Sequence, residues 1–184
     1  HNKASGSARS VDGFDVYSAI EECSDLLEQF GGHKYAAGLT MPIENIPLFQ
    51  KKFEEAVSRR ITEDQLTPLV SIDVKIELAD INQKFYGIIK QMAPFGPGNM
   101  RPVFVSENLI TYGYPQILKE QHLKFSLRQE GKDKVYNAIG FGMAHLYETV
   151  LNGKPFKMAY TIDENHYNGK TTLQLMIKDI KPME

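Results

Sequence analysis

From Val70 to Leu78 the chain alternates without a break, with Val70, Ile72, Val74, Ile76 and Leu78 set against Ser71, Asp73, Lys75 and Glu77. A period of two puts one set on each face of an extended chain, so this stretch predicts a long, half-buried strand. The pattern returns at His122 to Arg128, with Leu123, Phe125 and Leu127 inward. It returns again in Phe156, Met158, Tyr160 and Ile162, and in Leu173, Leu175 and Ile177. Asn168-Gly169 lies between the last two runs and suits a two-residue primed hairpin turn. Val103 to Tyr114 reads as a strand bent at Ser106-Glu107-Asn108, and Val135 to Phe141 as a strand returning after the polar turn Gln129 to Lys134. Asp80 is placed to cap a helix whose face is Ile81, Phe85, Ile88, Ile89 and Met92, ended by Pro94. A second short helix, Ala144 to Leu151, ends at Asn152-Gly153. Short strands at close intervals, with two helices, suit a small closed barrel of Greek-key character.

The front of the chain follows a different period. Val16, Ile20, Cys23, Leu27 and Phe30 are spaced four, three, four and three, which predicts one helix running to Phe30 and stopped by Gly31-Gly32. Asp15 is its expected N-cap. Leu39-Thr40-Met41 reads as a short strand ended by Pro42, and little strand is expected ahead of Gly6. Asn45 is expected to cap a second helix with Pro47 in its first turn, an apolar stripe of Phe49, Phe53, Ala56 or Val57, and Ile61, and Arg59 and Arg60 at its end. Ile61 to Pro68 is polar and ends in proline, so the chain divides into residues 1–65 and 66–184, an α+β or α/β arrangement. Hydrophobic residues are 42% and charged residues 24%, ordinary for a globular protein. No apolar run approaches the roughly 18 residues of a membrane span. Cys23, the single cysteine, has no disulfide partner and fits a small core residue in a reducing, cytoplasmic setting.

Net charge is −2, from 7 basic and 11 acidic residues in 1–65 and 14 basic and 12 acidic in the rest. Charge alone does not point to nucleic acid. Local chemistry does more. Gly6-Ser7-Ala8-Arg9-Ser10 gathers a glycine, two hydroxyls and a guanidinium, groups that suit phosphate. Gly31 and Gly32 bare backbone N–H groups beside His33, whose imidazole can donate to an anionic oxygen. The predicted phosphate contacts are Arg9 and His33, supported by Ser7, Gly31 and Gly32. The alternative is that Arg9 pairs with an acid and His33 holds a turn. The five histidines His1, His33, His122, His145 and His166 are scattered, with no pair at metal-site spacing, so no metal is expected in this chain.

Gly-Ser-x-Arg-Ser, an amphipathic helix, Phe-Gly-Gly-His and Ala-Ala-Gly, in that order, resemble the DHH-associated domain of the DHH phosphoesterase superfamily. Within it the RecJ-like single-strand exonucleases are most alike. The likeness continues in Pro94-Phe95-Gly96-Pro97-Gly98-Asn99-Met100-Arg101-Pro102-Val103-Phe104, which resembles the opening of their oligonucleotide-binding domain. The resemblance implies a partial DHH-associated domain followed by an oligonucleotide-binding barrel, the C-terminal part of a larger 5′ to 3′ exonuclease of DNA repair and recombination. It implies that manganese or magnesium acts in a preceding catalytic domain, that this part alone hydrolyses nothing, and that single-stranded DNA is the partner. DNA-repair proteins such as single-strand-binding protein follow as further partners.

On the barrel, His122, Lys124, Ser126 and Arg128 form an outward polar row, a track for single-stranded DNA by analogy with other barrels of this kind, or an ordinary solvated face. Tyr112, Tyr114, Tyr136 and Tyr167 are able to stack bases or to pack. Two other functions stay open: another DHH phosphoesterase acting on short oligonucleotides or cyclic dinucleotides, and a binding module like the C-terminus of alanyl-tRNA synthetases. The barrel argues against the first, because a short substrate needs no long track.

Overall fold

The computed structural model describes residues 2–183 and divides after Leu69 into two compact units. In the first, β1 (Lys3–Arg9), β2 (Gln29–His33) and β3 (Ala36–Pro42) form an antiparallel sheet in the order β1-β3-β2. Helices α1 (Val16–Glu21) and α2 (Ile46–Ser58) carry the rest of its core. Ala8, Phe30, Ala37 and Leu39 from the sheet meet Val16, Ala19 and Ile20 of α1 and Phe53, Ala56 and Val57 of α2. Asp15 caps α1, accepting from Ser18 N at 3.1 Å, which holds its carboxyl below the usual range.

The predicted helix through Phe30 is corrected. It stops at Glu21, a 3-10 turn covers Ser24–Leu26, and Phe30-Gly31-Gly32-His33 is strand. The apolar spacing identified the buried side chains, since Val16, Ile20 and Cys23 are buried and Leu27 and Phe30 pack on the core. It did not identify the conformation, because Gln29 out, Phe30 in and Gly31 out satisfies a strand equally well. Lys3–Arg9 is also a full strand, stronger than its glycine and serines suggest, because both it and β2 bond to β3. Asn45 precedes α2 without a side-chain cap; its amide donates to Leu26 O at 2.9 Å and ties the 3-10 turn down. Arg59 and Arg60 both pair with Glu22, joining the ends of α2 and α1. A four-residue helix, α3 (Glu63–Leu66), lies within the stretch read as a linker.

The second unit is a barrel. Strands β4 (Val74–Lys75), β5 (Phe104–Leu118), β6 (His122–Gln129), β7 (Tyr136–Gly140), β8 (Phe156–Tyr167) and β9 (Lys170–Pro182) run in the order β4-β5-β6-β7-β9-β8, and β5 also pairs with β8. That pairing closes the sheet, the oligonucleotide-binding architecture. The expected bend in β5 is present: its register to β8 shifts between Ser106 and Leu109, and Asn108 takes φ 54°. Asn168 and Gly169 both have positive φ, as a primed turn requires. Leu109, Leu123, Leu127, Met158, Ile162 and Leu175 are fully buried. The short helix α5 (Tyr147–Leu151) adds Val150.

The stretch expected to be the clearest strand is the least regular. Only Val74 and Lys75 pair, parallel to Phe104 and Val105, and Val70, Ile72 and Val74 stay 39–48% exposed. The stretch is a sheet edge, and the chain leaves it at once for a 3-10 turn at Leu78–Asp80. Helix α4 (Gln83–Gln91) is capped by Asn82, not Asp80, and buries Tyr86 and Ile89 while Ile88 and Met92 are exposed. Two residues assigned to other roles hold this segment. Gln129, read as the start of a turn, is buried; its Oε1 accepts from Leu78 N at 3.0 Å. Tyr136, considered for base stacking, is buried and donates to Leu78 O.

Ser106 and Tyr160 are fully buried inside the barrel wall. Ser106 Oγ donates to Ile76 O at 2.6 Å, so its one proton is used and Tyr160 OH donates to it at 2.7 Å. Burial pushes the Tyr160 phenol far above the ordinary tyrosine range. The two deletions are therefore unequal. Ser106→Ala strands a buried hydroxyl donor and a buried carbonyl, an expected loss of about 2–3 kcal/mol, whereas Tyr160→Phe removes one donor and should cost about 1 kcal/mol. Urea titrations of the two variants check this order, and a greater loss from Tyr160→Phe would overturn it.

Candidate functional site

The sheet of the first unit has two unlike faces, set by register. Arg9 and His33 both stand opposite Ala36, Ser7 and Gly31 both opposite Gly38, and Ser5 and Gln29 both opposite Thr40. Directly paired residues share a face. The middle strand thus offers Ala36, Gly38 and Thr40 between a column of Ser5, Ser7 and Arg9 and a column of Gln29, Gly31 and His33. In the intervening rows Ala37 and Met41 are buried, and Ala8, Phe30 and Leu39 pack against the core. A shallow groove of about 390 Å³ is lined by Ser5, Gly6, Gln29, Phe30, Gly31, Gly38, Leu39 and Thr40; Ser7, Arg9 and His33 are not in its lining and continue the same outward face beside it.

The floor of this groove is bare backbone. A Cβ added at Gly31 or Gly38 meets nothing within 4 Å, so the fold itself does not require glycine there. Glycine in a strand interior with no packing reason marks a place where something approaches the backbone. Gly32 differs. Its φ is 150°, a Cβ there would lie 2.3 Å from Ala36 O, and it sits in the row of buried Ala37. Glycine at 32 is therefore required by the close approach of the β3 backbone.

Arg9 is exposed; its Nη1 donates to Ala8 O at 2.9 Å, and among the described residues no acidic side chain pairs with it. His33 Nδ1 accepts from Tyr35 N at 3.2 Å in the β2–β3 turn. That bond puts the proton of the neutral ring on Nε2, so a donor points away from the turn. His33 thus holds the turn and keeps a free donor at once. Ser5, Gln29 and Thr40 were missed in the sequence. Their signal is the register with Ser7 and Gly31, which the sequence alone does not supply. Ser5 Oγ and Thr40 Oγ1 are 3.1 Å apart.

On the barrel, β6 faces its neighbours in register: Tyr112 opposite Ser126, Gln116 opposite Lys124, and Asn137 and Ile139 opposite Ser126 and Lys124 on the other side. Lys124 is exposed. The Arg128 guanidinium lies 6.0 Å from the Tyr112 ring centre. Ser126 Oγ donates to Asn137 Oδ1 at 2.9 Å. His122 Nδ1 accepts from Gly142 N at 3.1 Å and its ring meets Phe141 edge-on, so His122 is partly a turn-holder. Phe141 is 60% exposed, Tyr112 54% and Tyr114 89%, giving aromatic faces beside the cations. Phe141 was missed because the sequence read it only as the end of a strand.

Among the described residues no group of three or more His, Cys, Asp or Glu is gathered to hold a metal ion, so no step is derived through one here. His1 lies outside the described residues. No helix is long and apolar enough to cross a membrane.

A family model described as the RecJ OB domain matches residues 72–179, and one described as the DHHA1 domain matches residues 1–59. The single-stranded-DNA-specific exonuclease RecJ of Bacillus subtilis (strain 168) is 30% identical over 177 residues, 96% of this chain and 22% of its own length. The exonuclease of the same name from Escherichia coli K12 is 27% identical over 186 residues, 97% of this chain and 31% of its own. The crystal structure of RecJ in complex with Mn2+ from Thermus thermophilus shares the fold, with a TM-score of 0.70 at 22% identity, over 98% of this chain and 26% of that one. This chain spans less than a third of these relatives, and with the RecJ OB domain model matching the barrel, more than half of the chain, and the DHHA1 model matching the three-stranded sheet, it belongs to the RecJ family.

Proposed function

We propose that this chain is the substrate-gripping part of a 5′ to 3′ single-stranded-DNA exonuclease. In this reading the outward sheet face of the first unit holds a backbone phosphate and the β6 face of the barrel carries the strand. Bond cleavage belongs to metal ions, manganese or magnesium, held outside these residues in the parent protein. DNA-repair proteins such as single-strand-binding protein are proposed partners on family grounds alone. The observation that supports the reading is the groove floor: Gly31 and Gly38 leave the backbone open where the fold does not need it, in the row next to the one in which Arg9 and His33 flank Ala36. A guanidinium and an imidazole Nε2–H on either side of the small Ala36, next to that bare row, can grip one phosphate from two sides.

Glycine substitutions separate binding from folding. Gly38→Val adds a side chain to open space in extended backbone, so the full-length enzyme should keep its melting temperature and lose cleavage at least tenfold. Gly32→Ala drives Cβ into the β3 backbone and should instead lower the melting temperature sharply. Normal cleavage by a folded Gly38→Val protein would remove the groove from the mechanism.

Arg9→Ala should lower kcat/KM of the full-length enzyme by about ten- to a hundredfold, as expected for a charge-assisted contact of about 1.5–3 kcal/mol. His33→Ala should cost a similar amount, and the double variant less than the product of the two. Thermal melts beside steady-state kinetics check this. Early unfolding with normal cleavage in the folded fraction would show that both residues only hold turns.

On the barrel, replacing Lys124 and Arg128 together should weaken single-strand binding and reduce its salt slope by about 0.7 for each phosphate contact removed. Binding measured across a salt series reads the slope directly; an unchanged slope would move the track off β6.

A further inference from the structure

Among the described residues of both sheets, one paired position sets two like charges directly against each other: Lys157 on β8 faces Lys181 on β9. Directly opposed like charges destabilise a sheet. Both lysines line a hollow of about 660 Å³ with Glu107, Pro182 and Met183. Lys75 on the neighbouring β4 pairs with the Glu107 carboxylate. That hydrogen bond, opposed by desolvation and helped by the charges of Lys75 and then Lys157, holds the Glu107 carboxyl below the usual range. Among the described residues the hollow therefore sets Lys157 and Lys181 beside a carboxylate that Lys75 already holds. Asp179, on the same strand as Lys181, directs its carboxylate to Ile180 N at 2.9 Å.

An edge lysine discourages sheet-to-sheet aggregation, and Lys181 lies beyond the β7–β9 ladder, so that account serves for it. It does not serve for Lys157, whose strand is paired on both sides at the adjoining Phe156. No aromatic ring lines the hollow, so nothing there stacks a base, and lysines act as point charges suited to phosphate rather than to planar bidentate recognition.

We propose that the Lys157–Lys181 hollow, with Lys75 at its side, binds a phosphate group at a site separate from the β6 face. The phosphate comes either from a nucleic-acid backbone or from free pyrophosphate. In the free protein the opposed lysines repel, and the bound phosphate relieves that repulsion.

Thermal unfolding of the whole chain tests this in sodium pyrophosphate and in sodium chloride of matched ionic strength. Phosphates also stabilise proteins by exclusion from their surface, and the K157Q/K181Q double variant carries that general part. In chloride, Lys181→Gln should raise the barrel's melting temperature by about 1–3 °C, because it relieves repulsion. Pyrophosphate should raise the melting temperature of the unsubstituted chain more than that of the double variant. Equal pyrophosphate shifts in the two proteins, or a lower melting temperature for Lys181→Gln in chloride, would overturn the site. Fluorescence anisotropy with a labelled single-stranded oligonucleotide then identifies the source. A several-fold loss of affinity in the double variant assigns the phosphate to a strand; unchanged affinity with a lost pyrophosphate effect assigns it to the free anion. Because Lys124 and Arg128 are intact in these variants, failure here leaves the β6 track standing.

Discussion

Strand β5 has to serve two neighbours, and the barrel exists because it can. Its first part, Phe104 to Leu109, pairs with β8, and its second, Leu109 to Leu118, pairs with β6. Leu109 belongs to both ladders and is fully buried. The chain turns just before it, at Asn108, where φ is positive and the carbonyl accepts from Glu130 N at 2.8 Å. Asparagine tolerates this backbone better than most residues. Without that turn the sheet would stay open, and β8 would be left as an unpaired edge with apolar residues on it. Closure also brings Ser106 to Tyr160, so the polar groups trapped in the wall satisfy each other.

A closed barrel sends every second side chain outward, and this is what makes a track available. The inward positions of β6 are filled by Leu123, Phe125, Leu127 and Gln129, so Lys124, Ser126 and Arg128 have nowhere else to go. The first unit reaches a similar result by other means. Its sheet is covered by helices on one side only, so the uncovered face is free to be polar and glycine-rich. In both units the packing of one face sets the chemistry of the other. The exposed groups are then decided by register alone, and a slip of one residue would bury Arg9 and expose Ala8.

This dependence on register explains what the sequence did and did not reveal. Strand β6, the Asn168-Gly169 turn and the bend near Asn108 were legible, because each is encoded within a few residues. Residues 70–78 misled because alternation reports a face that is able to be buried. It does not report whether a neighbour covers it, and at the sheet edge none of the described residues fully does. The helix predicted through Phe30 failed for a related reason: apolar residues three or four apart mark a buried side, and a helix followed by a strand can bury the same residues. Gln129 and Tyr136 were misread because their partners, Leu78 and Ile81, lie some fifty residues away. At the candidate site, Arg9, Ser7, Gly31 and His33 were proposed from local chemistry, whereas Gln29 and Thr40 share their face only through pairing across the sheet.

Charge follows the same logic at a larger scale. The sequence totals give −4 for residues 1–65 and +2 for the remainder, from 7 basic and 11 acidic residues against 14 and 12. Neither figure signals nucleic acid, yet among the described residues no acidic side chain lines the groove of the first unit, and several of its acids are paired. Glu22 is engaged by Arg59 and Arg60, Asp25 by Lys52, and Glu28 by Lys3. Arg9 is left with only a backbone carbonyl. An anion at this face meets the local field of unpaired donors, because paired charges largely cancel within a Debye length of about 10 Å. The relevant quantity is thus which cations remain unpaired and what they stand beside. On that measure Arg9, on the face of the bare glycine backbone, and Arg128, beside the exposed Tyr112 ring, differ from Lys3, Lys52, Arg59 and Arg60, which carboxylates already hold.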